Sequence, residues 1–147
     1  MLVVYILLFS LSNNFQFYLQ VFLKKRPWQN TIKIKHWIKP RVIELVYTSY
    51  DMTNLAKDFG YTCPPFKWDE SRRFMIRCEI DAAYFHLYSI DRDDVCYIME
   101  TFPIVKRKDI AKYGKYYTKE TILSIYDDMA ECIKTGNTYQ TCLDPHP

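Results

Sequence analysis

The sequence predicts a mainly α-helical fold: a small, bundle-like module of about four helices, with an irregular segment ahead of it. Three observations carry that expectation. Glycine is nearly absent, with only Gly60, Gly114 and Gly136 in 147 residues, which disfavours tight hairpins and glycine-rich phosphate loops. Apolar residues recur at i, i+3, i+4 and i+7 beyond residue 40, the period of a helix with one buried face. Aspartate, threonine or proline opens these stripes, and proline or glycine closes most of them. Hydrophobic residues make up 49% of the chain, so it can bury a modest core and is not a disordered tail.

The elements follow in order. Residues 1–36 are an apolar and then basic N-terminal segment. Leu2 to Phe9 is an unbroken apolar run, and no charge appears before Lys24, Lys25 and Arg26. The length matches a membrane span, but Ser10, Ser12, Asn13, Asn14, Gln16 and Gln20 interrupt it, and neither a basic leader nor a small-residue cleavage site is clear. A buried strand or helix, or a stump left by truncation, fits better than a membrane anchor. Residues 37–147 read as the helical module. Pro40 suits the first turn of a helix whose stripe is Ile43, Val46, Tyr47 and Tyr50, continued by Leu55 and Phe59 and ended at Gly60. Residues 61–67 are a proline-bearing loop. Asp69 caps a long helix running to about Tyr88, with Phe74, Cys78, Ala82 and Phe85 inward and Arg72, Arg73 and Arg77 off the stripe. Asp91 caps the next, with Val95, Ile98 and Met99 inward and Pro103 as its stop. Residues 104–117 form a basic, tyrosine-rich stretch, which either touches phosphates through its cations or is a surface loop whose tyrosines cover a neighbouring helix. Thr118 caps the last helix, over Ile122, Ile125, Tyr126, Met129 and Ile133. Lys134 suits the helix dipole there, and Gly136 the C-terminal cap.

The charge is uneven. Seven basic residues lie between Lys24 and Arg41, and no acid precedes Glu44. Such a block suits a polyanion or a lipid headgroup, or equally a solvated connector. Lys106, Arg107, Lys108, Lys112, Tyr113, Lys115 and Lys119 are the candidate nucleic-acid contacts, since cations can meet phosphates and tyrosines can stack or hydrogen-bond. Neither basic stretch offers a recognition helix, which predicts weak, salt-dependent, sequence-blind affinity. Cys63, Cys78, Cys96, Cys132 and Cys142 are odd in number and widely spaced. With His36, His86 and His146 they match no zinc spacing and read as reduced thiols of a cytoplasmic protein, Cys78 and Cys132 in the core. Nucleotide, zinc-hydrolase and serine-nucleophile motifs are absent. Glu79 and Asp81 are two apart and share no helix face, so a structural role is the simpler reading. No catalytic residue, cofactor site or metal site emerges.

Several runs resemble the C-terminal region of large bacterial adenine-specific DNA methyltransferases of restriction–modification and phage-defence systems. They include residues 41–51, Gly60-Tyr61, Pro64-Pro65-Phe66 on to Arg73, Arg77-Cys78-Glu79-Ile80-Asp81 on to Tyr88, and Asp91 to Asp94. The most distinctive are Glu100-Thr101-Phe102-Pro103 on to Asp109, and Tyr113-Gly114 on to Lys119. Ile125-Tyr126-Asp127, Thr135-Gly136 and Tyr139-Gln140-Thr141 follow. Order and spacing match over about residues 37–147; residues 1–36 match poorly. The resemblance implies a parent enzyme that methylates adenine from S-adenosylmethionine, with the catalytic core upstream of this chain. It also implies that Cys63-Pro64-Pro65-Phe66 is the family's C-terminal Pro-Pro-Phe and not its catalytic motif, because cysteine is a poor acceptor for the target amine. The expectation is a truncated gene, part of a split gene or a detached subunit, inactive alone. Its partners would be DNA and an upstream methyltransferase polypeptide.

Overall fold

The computed structural model describes residues 31–141 and 143, with side chains from residue 37 onward. The readings of residues 1–23 as anchor, strand or stump, and of Lys24, Lys25, Arg26, Cys142 and His146, lie outside the described residues. The described chain is mainly helical: α1 (Thr31–Val46), a 3-10 turn (Tyr50–Met52), α2 (Thr53–Asp58), α3 (Glu70–Leu87), α4 (Arg92–Glu100), α5 (Pro103–Tyr113) and α6 (Tyr117–Thr135). Packing divides it into two compact units between Trp68 and Asp69. No helix among the described residues is long and apolar enough to cross a membrane.

In the first unit, α1 starts nine residues before Pro40, which lies inside the helix and not at its first turn. An internal proline removes one ladder hydrogen bond and crowds the preceding turn. Arg41 folds back along the helix. Its Nη1 donates to the Trp37 carbonyl at 3.0 Å, and its guanidinium lies 3.7 Å from the Trp37 ring centroid, a cation–π stack. Beyond Val46 the chain turns, so the expected stripe breaks: Ile43 and Tyr47 are buried, but Tyr50 is 74% exposed. The core is Ile43, Tyr47, Ala56 and Phe66, with Met52, Phe59 and Tyr61 against it. The proline loop closes this core. The Phe66 N–H donates to the Tyr47 carbonyl at 2.9 Å, which satisfies a carbonyl left open by the helix end. The Phe66 ring stacks on Tyr61 at 4.8 Å.

In the second unit, Asp69 and Asp91 cap α3 and α4 as the sequence predicts, accepting from the Arg72 N–H at 3.0 Å and the Asp94 N–H at 2.9 Å. Helix α6 packs on α3, α4 and α5, most extensively on α3. Ile76, Cys78, Ile80, Ala82 and Phe85 of α3, Val95 and Met99 of α4, and Ile122, Ile125, Tyr126 and Met129 of α6 are buried. Ile133 is 51% exposed, since it lies in the last turn of the helix. Phe74 is half-buried and stacks on Tyr117 at 5.2 Å. Cys132 is half-buried.

Two expectations fail here. The basic stretch after Pro103 is a helix, α5, and not a loop. Helix α4 ends at Glu100, two residues short of Phe102-Pro103 as the proline predicts, and Pro103 also opens α5, where its missing N–H costs nothing. Gly114 closes α5 at φ +73°, a left-handed cap that glycine adopts without strain. Thr118 is not the cap of α6, which begins at Tyr117. The Thr118 N–H instead donates to Asp109 Oδ2 at 2.6 Å, so the buried carboxylate of α5 caps the next helix through space.

Candidate nucleic-acid interface

Helix α5 carries four cations and one acid. At about 100° per residue, Ile104, Arg107, Lys108 and Ala111 fall on one stripe, and all four are exposed. Asp109, on the far side, is the only residue of α5 that is buried. The helix thus turns a mixed apolar and cationic face to solvent and holds on to α6 partly through one carboxylate.

The seven residues singled out from sequence separate into two groups. Lys106 Nζ donates to Glu100 Oε2 and Lys119 Nζ to Glu100 Oε1, each at 2.6 Å. Lys115 Nζ donates to Glu120. Those three cations are already paired within the unit, three ammonium groups on two carboxylates. Arg107 and Lys108 are exposed and form no ion pair among the described residues. Lys112 is also exposed, with its ammonium 4.9 Å from the Tyr113 ring centroid. Tyr113 in turn lies 4.7 Å from Tyr117, tilted against it. The free positive charge therefore sits on Arg107, Lys108 and Lys112.

An open cleft of about 420 Å³ in this unit lies between α6 and the segment that follows it, with Met75, Tyr117, Ser124, Ile125, Asp128 and Tyr139 in its lining. Its charged lining is Lys115 and Glu120, which are paired with each other, and Asp128, which has no ion pair among the described residues. On balance this lining is acidic and unfavourable to phosphate.

No protein-family profile, curated protein or solved structure matches the chain.

Among the described residues no glycine-rich cradle for S-adenosylmethionine is formed. Gly60, Gly114 and Gly136 have φ of +71°, +73° and +72°, and each follows a helix. None opens a turn from strand to helix, and the described residues contain no strand. Among the described residues no cluster of three metal-ligating side chains occurs.

The remaining titratable groups are built into the packing. Glu79 is fully buried and accepts from the hydroxyls of Tyr139 at 3.1 Å and Thr141 at 2.5 Å. Arg72 Nη1 donates to the Leu143 carbonyl at 2.8 Å, and Leu143 is buried. The segment after α6 is thereby tied back to α3. Burial pushes the Asp81 carboxyl up to about 7 and the Cys78 thiol up as well. His86 lies flat against Tyr126, at 3.9 Å between ring centroids, and donates to the Tyr126 carbonyl at 2.9 Å. Burial holds its imidazole below the ordinary value, against the pull of that carbonyl and of Asp127.

Sequence reasoning missed Glu100, Asp109 and Glu120, the carboxylates that decide which cations are free. Their partners lie on other helices or at spacings with no helical meaning, so periodicity carries no signal for them.

Proposed function

We propose that this chain is a non-catalytic C-terminal module of an adenine-specific DNA methyltransferase system, and that α5 touches the DNA backbone held by the parent enzyme. The order and spacing of the resembling runs across residues 37–147 support the first part. The observation that carries the second is the exposed set Arg107, Lys108 and Lys112 on one helix, free of carboxylate partners among the described residues. Two of the three are lysines, point charges suited to phosphates and poorly suited to bidentate base reading. The expected affinity is accordingly weak and nearly indifferent to sequence.

Duplex binding by the whole chain, followed by fluorescence anisotropy across a salt series, tests this. The logarithm of the association constant should fall linearly with the logarithm of salt concentration. Changing Arg107, Lys108 and Lys112 together to alanine should flatten that slope by up to about 2.7, at roughly 0.9 per phosphate contact. No binding at low salt would remove the DNA contact from the isolated chain. Incubation with labelled S-adenosylmethionine and adenine-containing duplex should leave no label in DNA above a protein-free control; label above it would overturn the non-catalytic reading.

A second reading is favoured by Ile104 and Ile110, which are 60% and 47% exposed on the same helix. Exposed apolar side chains beside cations suit docking on another polypeptide, such as an upstream methyltransferase chain. Co-purification with that chain, lost on changing Ile104 and Ile110 to serine, would support it.

A further inference from the structure

We infer that Lys106 and Lys119 form a second phosphate-binding pair that Glu100 holds occupied, so that Glu100 competes with nucleic acid for two of the unit's cations. The inference rests on the reading of α5 as a DNA contact. Glu100 is the last residue of α4, Lys106 lies in the first turns of α5, and Lys119 lies at the start of α6. One carboxylate thus gathers ammonium groups from two other helices, using one oxygen for each, at 2.6 Å in both cases.

The geometry suits a phosphodiester. Its two non-bridging oxygens are a pair of anionic acceptors on one atom, as are the two oxygens of a carboxylate. A site that seats Glu100 between two ammonium groups is therefore shaped to seat one phosphate. The Lys119 side chain is only 16% exposed, so its ammonium is held in place in advance. Lys106 immediately precedes Arg107 on α5, next to the free cationic face. A strand lying on Arg107 and Lys108 would bring phosphates close to the pair.

Glu100 and Lys106 are both about two-fifths exposed, and ion pairs of that kind are weak. A competing phosphate can displace the carboxylate without disturbing the core. Near neutral pH protonation does not do so, because the two lysines hold the Glu100 carboxyl below its already acidic ordinary value. Only a competing anion, or loss of the Glu100 charge, frees the pair.

The test is a double-mutant cycle on the whole chain, with duplex DNA as the probe and anisotropy read across salt. Glu100→Gln should tighten binding and steepen the salt slope by up to about 1.8, two contacts at roughly 0.9 each. Lys106→Gln with Lys119→Gln should change the slope little in the native background and should abolish the gain in the Glu100→Gln background. That non-additivity is the signature of competition for one site. If Glu100→Gln leaves the slope unchanged while the native chain still binds through Arg107, Lys108 and Lys112, the clamp is refuted and the proposed DNA contact stands. A gain that survives loss of both lysines is a general charge effect and also refutes the clamp. If neither protein binds at low salt, both readings fall. Thermal unfolding checks each variant. Glu100→Asp, which shortens the carboxylate by one methylene, should give a smaller change in the same direction and serves if Glu100→Gln does not fold.

Discussion

Asp109 offers the sharpest check on the fold of the second unit, because one buried carboxylate caps a helix that does not contain it. The Thr118 N–H is one of the first-turn donors of α6 that no helical carbonyl can reach, and Asp109 Oδ2 meets it at 2.6 Å. Removing the carboxylate by Asp109→Ala leaves that donor without its acceptor and takes a negative charge from the positive end of the helix dipole. Losing a hydrogen bond to a charged group costs about 1.5–3 kcal/mol, and losing a capping side chain about 0.5–2 kcal/mol. Both figures describe the same interaction, so the expected loss is about 2 kcal/mol. With a urea dependence of about 1 kcal/mol per molar for so small a unit, the midpoint should fall by about 2 M. Asp109→Asn keeps an acceptor and loses the charge, so its cost should be the dipole part alone, about 0.3–1 kcal/mol. Thr118→Ala is the decisive control. The cap runs through the Thr118 backbone, so this change should cost well under 1 kcal/mol, as expected away from special contacts. If Thr118→Ala destabilises as much as Asp109→Ala, or if Asp109→Ala leaves the midpoint in place, the through-space cap is wrong and Thr118 caps its own helix.

Other outcomes follow from the same packing. Phe85→Ala should cost about 3–5 kcal/mol, since the ring is 6% exposed; an unchanged denaturation midpoint would show that it is not in the core. Thr141→Val removes one hydroxyl donor from buried Glu79. It should cost about 1–3 kcal/mol and speed chymotryptic cleavage after Tyr139, and an unaltered cleavage rate would mean the segment is not held there. The His86 imidazole, followed by NMR, should titrate below the usual value of about 6.5. With a folded value below the unfolded one, the native state binds fewer protons in that window. Its contribution to stability is therefore complete above about 6.5 and is lost as pH falls. A His86 titration above 6.5 would contradict its burial against Tyr126.

What the sequence made legible follows the range of the interactions. Asp69 and Asp91 cap helices three residues away, and the stripes of α3 and α6 bury themselves on each other, so local pattern and tertiary structure agree. Helix α5 was illegible because its repeating stripe, Ile104, Arg107, Lys108 and Ala111, faces water, and its buried residue is an aspartate. No apolar period marks it. Pro103 also reads equally well as an ending or a beginning. Pro40 invited a helix start because proline is best tolerated there. Helix α1 runs on through it, an outcome that local propensity does not encode. The candidate interface was half legible. Composition pointed to the cations between Lys106 and Lys119, but separating free from paired required knowing that Glu100 faces Lys106 and Lys119 and that Glu120 faces Lys115.

The central place of α6 has a consequence for the order of events during synthesis. Helices α3, α4 and α5 leave the ribosome first, yet each has its main packing surface on a helix still to be made. From Leu87 to Thr135, chain growth at roughly 5–20 residues per second takes about 2–10 s. Through that interval Ile76, Ile80 and Phe85 stand on a helix whose partner does not yet exist. Even the complete α6 leaves Glu79 without the Tyr139 and Thr141 hydroxyls until a few more residues arrive. The nascent unit therefore gains its stability late and nearly all at once. Premature stops between Gly136 and Leu143 should yield chains that have every helix and still accumulate poorly in the cell.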